Sequence, residues 1–212
     1  MARTPRIDRM EAVLHQRLGH VRCAIESVYH RHNVSAVLRT ADSLGLHHVH
    51  LVEGTFRPVR GTARGAERWL ELEHHESAAQ AMDALHAAGC QVWVADLDPD
   101  GVAPENIALD RPICLWFGAE LTGVSPEARA RADGVLTIPM RGFAQSLNVS
   151  VAAAMALRAV SERARRELGA QALLDEAERD RTWERWMGRE ASRGRAIDAL
   201  AHAQPMVEDP TP

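Results

Sequence analysis

Ile138-Pro139-Met140-Arg141-Gly142-Phe143-Ala144-Gln145-Ser146-Leu147-Asn148-Val149-Ser150-Val151 reads as the end of a strand, a glycine-containing loop and the start of a helix. Residues 135–140 form a β-branched and apolar run, Pro139 and Gly142 interrupt it, and from Leu147 apolar residues recur at helical spacing to about Leu168. Ser146, Asn148 and Ser150 are all residue types that accept hydrogen bonds from the free amides of a first helical turn. One helix end needs only one or two such caps, so the surplus of small polar groups points to a ligand.

Upstream, the same alternation repeats. Residues 21–28, 49–52, 91–97 and 113–117 are further apolar runs of strand length, separated by stretches of helical period, and together with 135–140 they predict a parallel α/β sheet. Ser77 caps a helical run closed by Gly89, and Ser125-Pro126-Glu127 places proline at a first helical position. No G-x-G-x-x-G follows any strand, so a nucleotide-like cofactor must be held in some other way than in a Rossmann fold.

The chain of 212 residues, 46% hydrophobic, is long enough for one main domain with terminal extensions. Residues 4–18 carry Ile7, Met10, Val13, Leu14 and Leu18 on one helical face and Arg3, Arg6, Arg9 and Arg17 elsewhere. They predict a basic helix occupying 1–18, ahead of a domain over 20–168 and a helical extension with a tail over 169–212. No run approaches the ~20 apolar residues of a membrane span, and no secretory signal is read at the start. Cys23, Cys90 and Cys114 are widely spaced within apolar runs and fit the reducing conditions of the cytoplasm. Net charge is −4, unusual for a nucleic-acid binder, yet all 25 basic residues are arginine, the side chain suited to bidentate phosphate contacts.

Two more segments carry polar residues beside strand ends. Asn33-Val34-Ser35-Ala36-Val37-Leu38-Arg39-Thr40 follows the first strand; Asn33 or Ser35 is expected to cap a helix from whose opening turns Arg39 projects toward the sheet's carboxyl edge, where ligands of open α/β sheets bind. Leu115-Trp116-Phe117-Gly118-Ala119-Glu120-Leu121-Thr122-Gly123 ends a buried strand at a glycine that permits close approach and delivers a carboxylate two residues later.

Taken together, Asn33 with Arg39, Phe117-Gly118-Ala119-Glu120 with Gly123, and Ile138-Pro139-Met140 with Ser146-Leu147-Asn148-Val149-Ser150 resemble, in order and spacing, the motifs of the SpoU/TrmH family of RNA ribose 2′-O-methyltransferases in the SPOUT superfamily. The resemblance covers about residues 20–165, and the short flanking helices are similar to those of the branch that methylates guanosine-18 in the D-loop of tRNA. It implies a sheet whose C-terminal part is tied in a deep trefoil knot, a homodimer, and S-adenosylmethionine as methyl donor with S-adenosylhomocysteine as product and no metal. By motif position, Ala95, Gly118, Ile138 and Leu147 would line the cofactor pocket, largely through backbone groups. Arg39 would act on the ribose hydroxyl, either as a base assisted by the substrate phosphate or as a phosphate clamp. Asn33 would hold Arg39 or the ribose in place, and Glu120, Ser146 and Asn148 would organise the knot loops and substrate pocket.

The remaining candidates read as structure. His47, His48 and His50 cluster, but strand alternation puts His47 on the opposite face from the other two, and no metal site is expected. Trp93 and Trp116 lie inside strand runs and read as core, while Trp183 and Trp186 belong to a helix expected to pack on the core or a partner subunit. Competing readings are 2′-O-methylation of ribosomal RNA or of the tRNA wobble ribose. In a different class stands a non-catalytic RNA-binding module, which would have lost Arg39, Asn33 or the Ser146-Leu147-Asn148 run.

Overall fold

The computed structural model describes residues 4–26, 31–52, 65–119 and 122–203. Six strands, β1 (Val21–Glu26), β2 (His48–Val52), β3 (Glu71–His75), β4 (Gln91–Ala95), β5 (Ile113–Phe117) and β6 (Gly134–Leu136), form one sheet in the order β3-β2-β1-β5-β4-β6. Every pairing is parallel. Parallel strands need crossovers, and helices supply them on both faces. α2 (Arg31–Leu44) and α5 (Val149–Leu168) cover one face, packing Val37, Leu38, Ala153 and Leu157 against Cys23, Ile25, Val49 and Leu115. α3 (Ala78–Ala87) and α4 (Pro126–Arg131) cover the other, where Met82, Leu85 and Ala128 meet Val92, Val94, Cys114 and Trp116. Burial of this kind stabilises by roughly 25 cal/mol per Å² of apolar surface removed from water.

Local signals set the helix ends. Ser77 accepts from Gln80 N and Gly89 follows α3 with φ 73°; Ser125 accepts from Ala128 N and Pro126 opens α4. Two expectations are corrected. α2 begins at Arg31, so Asn33 and Ser35 lie inside the helix rather than capping it, and Arg39 sits in its third turn rather than its opening turns. The strand predicted over 135–140 stops at Leu136. Thr137 turns its hydroxyl onto the Asp96 carbonyl at 2.7 Å, and Pro139 has no amide to extend the ladder.

A sixth strand was not among those expected. β3 is Glu71-Leu72-Glu73-His74-His75, an edge strand with no apolar alternation, recruited by a complete register against β2.

His15–Asp175 is one compact unit. α1 (Pro5–Leu14) and α6 (Glu176–Ala203) belong to a second, in which Arg6 and Glu190 form a bidentate pair at 2.6 and 2.7 Å. Residues 15–18 and 169–175 therefore group with the sheet, through bridges from Leu18 to Leu46 and Leu173. Trp116 and Trp186 are fully buried, Trp93 and Trp183 partly so. The tail beyond Ala203 lies outside the described residues. Among the described residues no helix is long and apolar enough to cross a membrane.

Candidate active site

At the carboxyl ends of β4, β5 and β6 the chain leaves the sheet in three consecutive turns that face one another. Between them lies a cavity of about 230 Å³. Ala95 ends β4, Gly118 follows β5, Ile138 follows β6, and Ser146 and Leu147 precede α5; all five line it. Leu97, Phe117, Leu136, Met140 and Val149 make the rest of its wall largely apolar. Open α/β sheets bind ligands at this edge, and an apolar slot with exposed backbone groups suits an adenine ring.

Each wall is held by identifiable contacts. Beyond Gly118 the chain folds back on itself, Ala119 N donating to Gly123 O at 3.0 Å and Gly123 N to Ala119 O at 2.9 Å. This approach is so close that a Cβ on Gly118 would lie 2.1 Å from the Gly123 carbonyl oxygen, which is why the position is glycine. Asp96 follows Ala95 on the cavity wall, and Arg129 of α4 ion-pairs with both Asp96 and Asp98, joining the β4 turn to the helix after the Gly118–Gly123 turn. On β1, Glu26 is buried and accepts from Trp116 Nε1 at 2.9 Å and Ser125 N at 3.1 Å. Neither Asp96 nor Glu26 stands out in the sequence; Asp96 could have been found from its place beside Ala95, Glu26 only from the fold.

The surplus of polar groups ahead of α5 divides its tasks. Asn148 is the cap, accepting from Ser150 N at 2.9 Å and from the Ser150 hydroxyl at 2.6 Å, while Ser146 is left on the cavity wall. The Asn148 amide also donates to Asn33 Oδ1 at 3.3 Å, tying α5 to α2. Arg39 is exposed on α2 in a separate polar groove with Ala36, Thr40, Ser43 and Trp69, and this groove shares no lining residue with the cavity. Among the described residues its guanidinium has no carboxylate partner. Glu120 lies outside the described residues, as does Arg3. Burial pushes the thiols of Cys23, Cys90 and Cys114 up, which keeps them protonated and inert. On the far side of the sheet, β3 brings Glu73 and His75 beside His50, a grouping invisible in sequence because β3 itself was.

A parallel sheet with a glycine-walled cavity at its carboxyl edge, entered by a strand-loop-helix bearing Ser146 and Asn148, is the architecture of a SpoU-type methylase. Residues 20–158 match the SpoU rRNA Methylase family, and the chain belongs to it. It is 36% identical over 182 residues to the tRNA (guanosine(18)-2′-O)-methyltransferase of Escherichia coli (strain K12), covering 83% of this chain and 79% of that protein. The fold is similar to the TrmH/SpoU tRNA modifying enzyme of A. aeolicus, with a TM-score of 0.79 and 29% identity over 87% of this chain and 96% of that one. It is also similar to the SpoU methyltransferase AviRb from Streptomyces viridochromogenes in complex with the cofactor AdoMet, with a TM-score of 0.62 and 25% identity, covering 69% and 61% of the two chains.

Proposed function

We propose that this chain transfers a methyl group from S-adenosylmethionine to the 2′-oxygen of guanosine-18 in the D-loop of tRNA. The observation that carries the reading is the convergence of Ala95, Gly118, Ile138 and Leu147 on one cavity at the carboxyl edge of the sheet. Those are the positions at which the motifs place the cofactor. The cavity fits such a group: its walls are apolar, its glycine admits no side chain, and the carboxylate of Asp96 borders it.

When bound, the cofactor supplies a methyl group already activated on a sulfonium. The chain's own task is to place a ribose hydroxyl in line with that methyl and to ease loss of its proton. Arg39 is assigned the clamping of the neighbouring phosphate and the orientation of the hydroxyl, because a guanidinium stays protonated and grips phosphate in a planar fork. As a base it would need the substrate phosphate to share the proton. Asn33 and Asn148 hold the start of α2 against the start of α5, Ser146 presents its hydroxyl at the cavity, and Glu120 belongs with the same substrate-facing loops.

The separation of Arg39 from the cavity supports a homodimer, in which a second chain whose α2 faces the cavity would complete the site. The exposed Val151 and Met155 of α5 offer apolar contact for it. The reading includes a trefoil knot in the C-terminal part of the sheet, a basic N-terminal helix over 1–18, a catalytic region over 20–168, a helical extension with a tail over 169–212, and a cytoplasmic enzyme.

The test is methyl incorporation into unmodified tRNA carrying either guanosine or 2′-deoxyguanosine at position 18. Loss of incorporation with the deoxy substrate is expected. Equal incorporation into both would move the target to another tRNA ribose or to ribosomal RNA. S-adenosylhomocysteine binding is expected to persist in excess chelator.

A further inference from the structure

β2 and β3 run parallel, with His50 opposite Glu73 and Val52 opposite His75, so strand alternation puts His50, Glu73 and His75 on one face of the sheet. His50 Nδ1 lies 3.0 Å from His75 Nε2, and His50 Nε2 lies 3.7 Å from Glu73 Oε1. One ligand atom from each of the three side chains falls within 4.8 Å of the others. His50 is 1% exposed, and among the described residues its Nε2 has no hydrogen-bond partner, an omission that is costly for a buried polar atom.

The structure assigns to His50, Glu73 and His75 a binding site for a transition-metal cation of the Zn²⁺ class. Two imidazole nitrogens and one carboxylate suit Zn²⁺, Co²⁺ or Ni²⁺, whereas Mg²⁺ and Ca²⁺ call for oxygen donors. Glu73, 37% exposed, marks the way in. Arg22 of β1 acts on the same cluster and opposes a cation, so the charge of Glu73 is indispensable as well as its oxygen.

β1 lies between this pair of strands and the strands that carry the cavity. The cation would therefore fasten the polar edge strand β3 to β2 and take no part in methyl transfer.

The test uses the full chain made without a histidine tag and stripped by chelator. Zn²⁺ is titrated in competition with a chromophoric chelator, and Co²⁺ reports coordination number by its visible absorption. One ion per chain is expected, with the absorption of a four- or five-coordinate site and a rise in Tm. Removing even an outer contact of a metal ligand costs 10–100-fold in affinity, so Glu73→Gln and His75→Ala should each weaken binding by at least about 100-fold. His15→Ala, at an exposed histidine outside the site, should leave it unchanged. S-adenosylhomocysteine affinity, measured on the same samples, should be equal in all forms and reports that the variants are folded. Absence of stoichiometric binding overturns the assignment. So does wild-type affinity in Glu73→Gln and His75→Ala, or a loss in His15→Ala as large as theirs.

Discussion

Gly118→Ala isolates the close approach that shapes the cofactor cavity. The added methyl would meet Gly123 O at 2.1 Å, Gly123 C at 2.2 Å and Val124 N at 2.4 Å, all backbone atoms, and ordinary contact begins only at 3.4 Å. The returning strand must retreat by about an ångström, and the reciprocal Ala119–Gly123 hydrogen bonds cannot survive that shift. Two lost bonds at ~1 kcal/mol each, with an overpacking cost of ~1–3 kcal/mol, give a destabilisation of about 3–5 kcal/mol. In a chain of this size that lowers Tm by roughly 6–20 °C. Gly118, Ala119 and Gly123 all line the cavity, so S-adenosylhomocysteine affinity should fall by at least about tenfold, equivalent to ~1.4 kcal/mol. Gly142→Ala is the internal control, because among the described residues its Cβ would meet nothing within 4 Å and the position does not require positive φ. It should stay within about 0.5 kcal/mol of wild type. Calorimetric titration and thermal melts decide the matter. A Gly118→Ala protein that melts and binds like Gly142→Ala would refute the steric reasoning.

Arg39→Ala should lower methyl transfer by about 10²–10⁴ while leaving S-adenosylhomocysteine binding nearly intact, since Arg39 lies in a different groove from the cavity. Arg39→Lys should rescue little, and near-wild-type turnover with lysine would exclude a bidentate or base-like role. Sedimentation should give twice 23.4 kDa, and full activity from a monomer at nanomolar concentration would remove the case for a shared site. Burial alone would push the Asp133 carboxyl up, but bonds from Val92 N, Arg111 and His86 hold it below its ordinary value. Its contribution to stability is then complete above about pH 3.9 and lost as pH falls through the lowered folded value. The Tm gap between wild type and Asp133→Asn should therefore be widest near neutrality and narrow below about pH 4; a gap that widens toward acid would contradict the sign.

β1, β2, β4 and β5 were legible because their interiors are apolar and β-branched, the signature of strands covered on both faces. β3 was not, since an edge strand needs only a ladder partner, and Glu71, Glu73 and His75 find theirs opposite His48, His50 and Val52. The start of α2 was misplaced because Asn33 and Ser35 are cap residues by type, and only tertiary packing decides that the helix begins two residues earlier. The cavity wall was readable because its residues sit at fixed offsets from strand ends. The placement of Arg39 in a separate groove was not, because it depends on how α2 lies against the sheet, which no local pattern encodes.

The buried carboxylate of Glu26 bears on how the chain is made as well as on how it stands. Its two partners, Trp116 and Ser125, follow it by 90 and 99 residues, and β1 is sandwiched between β2 and the equally distant β5. A nascent chain leaving the ribosome has completed β1, β2 and β3 long before either donor exists, and until then the centre of the sheet carries a carboxylate with no protein donor to receive it. While β1 is still a sheet edge, water can solvate that carboxylate, so its burial, and with it the closure of β5 onto β1, waits for Trp116 and Ser125 to be made. Through that interval the chain carries an unpaired sheet edge, the kind of surface a chaperone covers.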